Sequence, residues 1–350
     1  MRLSGDIDAI LKKVSRTLYL SVAVLPEPVR SSMGLGYLLC RALDTAVDTP
    51  GISAGQKLKL LSLARDLGKE NSRAELLSGL RSLSSQPAPK GERELLARFG
   101  DVLAMFAALP EPEKPAFTDL VSGVASGMEM DVVSFPGGRP AALPAAADLE
   151  RYCGLIGGEP GRFWARLYRE AIRASNRRWG NLPSEADAAM IGAALQITNI
   201  LKDMAYDLSI GRCYIPQEDL DTRNLRPSDL LDPASMERLR EISVKWIYWA
   251  LDRLDLCESF VSSIPKTELS LRAAVIWPVY WAMDTLAEVS LANLLDPGAR
   301  PKVKRRRIYF TLAATPPLLL SNTAFARGYR FRRETLISSL TGGDFEGRAL

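Results

Sequence analysis

The sequence predicts an all-α protein, a single domain of helices packed around a central cavity, and three observations lead there. Prolines divide the chain into segments long enough for several helical turns, many with apolar residues spaced by three and four. Strand-like alternation is scarce. Hydrophobic residues form 47% of the 350, ample for one sizeable core, and no short repeat or composition break marks a domain boundary.

Composition also removes classes of chemistry. The chain has no histidine, which excludes Ser-His-Asp and Cys-His nucleophiles and the usual imidazole acid or base; carboxylates, tyrosines, basic residues and metal remain. Cys40, Cys153, Cys213 and Cys257 lie far apart, fit no zinc spacing and read as core thiols. Net charge is +4 but unevenly placed: Pro297 to Arg333 carries ten Lys or Arg and no acid. Nothing points to nucleic acid as a partner. No run of eighteen apolar residues occurs, and MRLSGDIDAILKKVSRTLYL lacks an apolar core followed by a small-residue cleavage site. The expectation is a cytoplasmic protein, with peripheral contact at the inner membrane surface through its basic tail.

In chain order, SRTLYLSVAVLPEPVR places Arg16 before an apolar helix and Arg30 after a proline break, where a surface arginine is the default. In GYLLCRALDTAVDTP, residues Tyr37, Arg41, Asp44 and Asp48 share about 60° of arc on one helix face. Residues 68 to 94 form the most polar connection and read as including a surface loop. Small residues in SGVASGMEMDVVSFP, and the glycines of RYCGLIGGEPGRFWARLY beside Tyr152, suit either close helix packing or an elongated apolar ligand. No GxxxxGK[ST] phosphate loop is present.

GAALQITNILKDMAYDLSIGRCYIP, from Gly192 to Pro216, sets Asn199, Asp203 and Asp207 four residues apart on one helix face, with Gly211 as the stop. Carboxylates one turn apart repel, so a compensating cation is expected. Each acidic pair alone could be a solvated helix face or, for Arg41 and Asp44, a surface ion pair. Two pairs, each in an apolar helix followed by a break, favour Mg²⁺ shared with substrate phosphates across a cavity. Arg212 and Tyr214 follow Gly211 and could close over a diphosphate. Residues 234 to 262 read as one amphipathic helix with Trp246, Tyr248 and Trp249 in the core, and the apolar stretch around Pro278 as a kinked helix lining the cavity.

These motifs together, in this order, resemble the squalene and phytoene synthase family of head-to-head prenyl transferases, over about Ser15 to Arg307. YLLCRALDTAVD looks like its first aspartate-rich motif, RYCGLIGGEPG like its tyrosine-containing glycine motif, and ALQITNILKDMAYDLSIGRCYIP like its second aspartate-rich motif. The resemblance implies an isoprenoid-synthase-type bundle, with a core of about 15–307 and a tail of 308–350. It implies that Asp44, Asp48, Asp203 and Asp207, helped by Asn199, bind Mg²⁺. Arg16, Tyr37, Arg41, Lys202 and Arg212 match diphosphate-holding positions, and Tyr152 a tyrosine tied to ionisation and proton handling. Val47, Tyr206 and Lys202 depart from the family pattern, and Lys202 gives up a bidentate fork for a point charge.

The implied reaction joins two farnesyl diphosphates through a cyclopropylcarbinyl diphosphate, with NADPH reduction to squalene. KVKRRR, with Lys302, Lys304 and Arg305, matches the cofactor-phosphate region, and the arginines from Arg327 to Arg333 are assigned to the membrane. GMEMD and Leu25-Pro26 look more like a phytoene synthase, so an unreduced phytoene or dehydrosqualene product is the alternative. A non-catalytic prenyl-lipid-binding protein is the alternative of another class.

Overall fold

The structure, a computed structural model, describes residues 2–15, 18–175 and 180–341. Its helices, in chain order, are α1 (Gly5–Ser15), α2 (Leu18–Ala23), α3 (Val29–Asp48), α4 (Ala54–Arg65), α5 (Glu70–Ser82), α6 (Lys90–Ala97), α7 (Phe99–Ala107), α8 (Lys114–Ser134) and α9 (Ala146–Cys153). After a π-helical turn, Gly154–Gly158, come α10 (Glu159–Ser175), α11 (Glu185–Ser209), α12 (Gln217–Asp221), α13 (Met236–Leu254), α14 (Cys257–Ser262), α15 (Leu269–Leu291), α16 (Arg305–Ala313), α17 (Thr315–Leu320) and α18 (Asn322–Thr341). The all-α expectation holds.

Helix α11 is the hub. It starts where the Ser184 hydroxyl accepts the Asp187 amide, and it packs against α10, the π-helical turn, α13 and α15. Its approach to the π-helical turn needs bare backbone. A Cβ on Gly157 would lie 2.2 Å from the Gly192 carbonyl oxygen, and one on Gly161 2.1 Å from that of Ala188. The close-packing reading of the glycine motif therefore holds, and the same residues also border the central cavity. Helix α15 is buried on nearly every side, as its unbroken apolar sequence requires, and it carries Pro278 to the cavity wall.

Local detail sharpens the expectations. The polar stretch 68 to 94 contains the expected surface loop, at 83–89, between α5 and the start of α6; α5 forms because Leu76 and Leu80 recur one turn apart and bury one face. Residues 234 to 262 form two helices, broken between Leu254 and Cys257; Trp246 is fully buried but Tyr248 is exposed. Two short parallel strands, β1 (Ala141–Ala142) and β2 (Arg212–Cys213), pair Ala141 with Arg212 and so clamp the backbone that follows α11.

The C-terminal helices pack onto the bundle. Phe325 stacks on Tyr280 at 5.6 Å, and Phe325, Tyr329 and Leu336 are buried where α18 crosses α15 and α14. Arg332 is buried over the Tyr280 ring, 3.4 Å from Asp284. Arg333 pairs with Asp255 and Arg330 with Glu258. Arg332, buried and held by a carboxylate, is unavailable to lipid, which takes it out of the expected membrane set; Arg327 and Arg330 are exposed and Arg333 is half-buried.

Candidate active site

Helix α3 enters the site as an amphipathic helix whose polar stripe faces the cavity. Tyr37 donates to the Val14 carbonyl at 2.9 Å, and Arg41 is held by Asp44 at 2.5 Å and by Glu92 from α6. Tyr37, Cys40, Arg41 and Asp44 line a cavity of about 510 Å³, and Asn199 and Gln196 line it from α11. The deeper wall is apolar, with Val124, Met128, Ile156, Trp164, Ile191, Phe260 and Val275 among its residues. One end is therefore charged and the rest hydrocarbon, in a volume typical of small-ligand sites.

The second acidic face lies on the same helix as Asn199. Asp203 is exposed and pairs with Lys202 at 3.0 Å, while Asp207 is half-buried one turn further on. The backbone then turns at Gly211, whose φ of +87° places it in the left-handed region. The β-pairing fixes Arg212, which reaches across to Asp48 on α3 at 2.9 Å. Arg212 thus ties the two acidic motifs together. Arg16 lies outside the described residues. Arg30 pairs with Asp8 at 2.6 Å, as a surface arginine should.

Electrostatics mark the same mouth. Burial pushes the Asp44 carboxyl up to about 6, with Asp48 and Glu92 adding to it and Arg41 opposing. Burial, with Asp203 beside it, pushes Asp207 up to about 7, although Arg212 pulls it back. Burial lowers the Lys57 ammonium, near Asp48 and Arg212. Carboxylates destabilised in this way are relieved by a cation, so the donor set fits a hard divalent ion. Among the described residues no three acidic groups converge into a closed cage. An ion here would complete its shell from water and phosphate oxygens.

The departures from the family pattern leave this geometry alone: Val47 is packed in the core and Tyr206 is exposed. Lys302 and Arg305 are exposed with no acidic partner among the described residues, and Lys304 pairs with Glu288 on α15 at 3.0 Å; these residues lie outside the cavity wall. Cations free of acids fit a phosphate-bearing cofactor.

Sequence reasoning missed Glu92 and Asp131 as site residues and read Tyr214 only as part of a closing loop. Glu92, in the polar stretch read as including a surface loop, braces Arg41. Asp131 and Tyr214 join Tyr152: the Tyr152 hydroxyl donates to Asp131 at 3.1 Å and lies 3.2 Å from the Tyr214 oxygen. A signal existed for Asp131, since one acid three residues after Met128 on an apolar helix face calls for a partner.

Comparison with known proteins agrees with this architecture. The family model described as squalene/phytoene synthase matches residues 11–307. A bifunctional lycopene cyclase/phytoene synthase of Phaeosphaeria nodorum is 27% identical over 75% of this chain and 43% of its own length. A squalene synthase of Eremothecium gossypii is 28% identical over 60% of this chain and 45% of that one. The chain thus spans less than half the length of these two relatives. A presqualene diphosphate synthase of Zymomonas mobilis is 28% identical over 72% and 73% of the two chains. Among solved structures, a TcSQS complex superposes with a TM-score of 0.69 at 21% identity, covering 97% of this chain and 98% of that one. A dehydrosqualene synthase superposes at 0.55 and 20% identity, covering 90% and 96%. The structural likenesses speak for the fold, and the family model, matched across the acidic helices, the π-helical turn and the cavity they enclose, shows that this chain belongs to the squalene/phytoene synthase family.

Proposed function

We propose that the protein condenses two farnesyl diphosphates head to head, through a cyclopropylcarbinyl diphosphate, and reduces the product to squalene with NADPH. The observation that carries the condensation is a cavity walled at one end by Arg41 and Asp44 of α3 and Asn199 of α11, with hydrocarbon along the rest of its wall, and with Arg212 linking the two acidic motifs beside it. Magnesium held by Asp44, Asp48, Asp203 and Asp207, with Asn199, would neutralise charge on the departing diphosphate. Arg41, Lys202, Arg212 and Tyr37 hold diphosphate oxygens, Arg41 pre-set by Glu92 and Arg212 by its strand. The apolar wall excludes water from the allylic cation while the second substrate's double bond attacks it.

Lys302, Lys304 and Arg305 supply the phosphate end of an NADPH site. Their position outside the cavity wall favours a second reading, in which the product is the unreduced phytoene or dehydrosqualene type. Incubation with farnesyl and geranylgeranyl diphosphates and Mg²⁺, with and without NADPH, tests both. Squalene only with NADPH supports the first reading, and an identical hydrocarbon in both conditions moves the enzyme to the second. Absence of diphosphate release from either substrate leaves the non-catalytic lipid-binding alternative.

The tail offers a second surface for membrane contact. Among the described residues no helix is long and apolar enough to cross a bilayer. Arg306 and Arg307 are exposed beside the exposed Tyr309 and Phe310, a combination suited to an anionic lipid surface at about 1 kcal/mol per basic residue. Arg306→Glu with Phe310→Ser should release the protein from anionic vesicles at low salt. Unchanged binding, or none by the parent protein, would sink this contact.

A further inference from the structure

One buried acid has no task in the site as described. Asp131, on α8, is 8% exposed; its Oδ2 accepts the Tyr152 hydroxyl, and its Oδ1 has no hydrogen-bond partner among the described residues. Such a group is costly to bury. The Tyr152 and Tyr214 rings lie 4.8 Å apart, with Phe135 edge-on to Tyr214, so both hydroxyls are held against Asp131 in a packed environment. The trio lies just behind the cavity wall: Met128, one turn before Asp131 on α8, and Ile156, four residues after Tyr152 on the π-helical turn, line the cavity. The charged groups facing Asp131 are Arg212 from β2, Asp48 from α3 and Asp207 from α11.

Atom balance demands a proton acceptor there. Joining two prenyl diphosphates into one cyclopropylcarbinyl diphosphate expels one diphosphate and one proton, and the chain has no histidine to take it. We propose that Asp131 is the positioning residue that orients the Tyr152 hydroxyl and receives its proton as the cyclopropane ring closes. This rests on the reading of the cavity as a head-to-head condensing site. In the step, a C1–H bond of the donor chain breaks and its electron pair forms the third ring bond to the cationic carbon of the acceptor chain. The carbon-bound proton passes to the Tyr152 oxygen while the phenolic proton moves to Asp131 Oδ2. Carboxylate and carbocation are neutralised together. Burial, which pushes the Asp131 carboxyl up to about 7, makes it a better proton acceptor than an exposed aspartate.

The test is Asp131→Asn, which keeps an acceptor for the Tyr152 hydroxyl but takes no proton. At saturating Mg²⁺ and without reductant, formation of the cyclopropyl diphosphate should fall about a hundredfold, with KM changed by less than about threefold. Diphosphate release should fall less, because ionisation of the first substrate does not depend on the relay. Substrate deuterated at C1 should show a larger primary isotope effect in the variant than in the parent. Tyr152→Phe should behave alike, and the double variant no worse than either single one. A parent-like rate in Asp131→Asn overturns the proposal. So does an equal loss of diphosphate release and coupling with an unchanged isotope effect, which would make Asp131 a packing residue. If the unfolding midpoint shows that Asp131→Asn does not fold, Tyr152→Phe carries the test: an unchanged isotope effect there refutes the relay. If the parent protein releases no diphosphate from any prenyl substrate, the functional reading itself fails and the relay with it.

Discussion

The two acidic helices look interchangeable as motifs and differ as built. On α3, Arg41 is fixed between Asp44 and Glu92, and Asp48 is met by Arg212 from across the mouth. On α11, Lys202 touches only its sequence neighbour Asp203, and Asp207 has no ion pair among the described residues. The α3 face is thus a rigid, half-neutralised rim. The α11 face is a negative surface with one cation, paired only to its sequence neighbour. Equal spacing in sequence therefore conceals unequal preorganisation, because only α3 receives braces from distant elements.

The largest expected effect would break the comparison outright. Asp44→Asn and Asp203→Asn should each lower turnover by at least about a hundredfold with the fold intact, as loss of stabilisation at a centre of developing charge does. Near-normal rates for either at saturating Mg²⁺ would show that only one face binds metal. Next, Arg212→Ala removes the link between faces and should raise KM for the prenyl diphosphate about tenfold, the scale of one charged hydrogen bond. An unchanged KM would mean that the two faces act independently.

A smaller pair of variants tests rigidity. Arg41→Lys should raise KM several-fold because the fork that meets both Asp44 and Glu92 is lost, whereas Lys202→Arg should lower it by adding a fork to the face that lacks braces from distant elements. Opposite signs sharpen the contrast, and equal signs remove it. The smallest effect is on stability. Asp131 titrates near 7 folded, against about 3.9 unfolded, so the folded state binds the extra proton and stability falls as pH rises from about 4 through 7. Asp131→Asn should flatten part of that slope in thermal melts. A slope unchanged in the variant would place it on other groups.

The tail offers the complementary lesson about charge. Ten basic residues in one stretch read as a single surface, yet Arg305 to Arg307 are exposed whereas Arg330, Arg332 and Arg333 hold α18 to the body through Glu258, Asp284 and Asp255. The acids that divide them lie from 48 to 78 residues away in sequence, outside any local pattern. The same distance hid Glu92 from Arg41.

What the sequence alone determined is what helical periodicity encodes. A spacing of four places Asp44 with Asp48 and Asp203 with Asp207 on single faces whatever the rest of the chain does, and Gly211 and Pro50 end their helices by local backbone preference. Apolar run lengths likewise required α3, α11 and α15 to be buried. Only the tertiary structure decided which charges meet. Arg212 reaches Asp48 because two short strands hold its backbone, Asp131 finds Tyr152 because α8 crosses α9, and Arg332 is buried because α18 folds back onto α15. Side-chain pairing across the fold is settled by close packing and by the cost of burying an unpaired charge, and neither leaves a periodic trace along the chain.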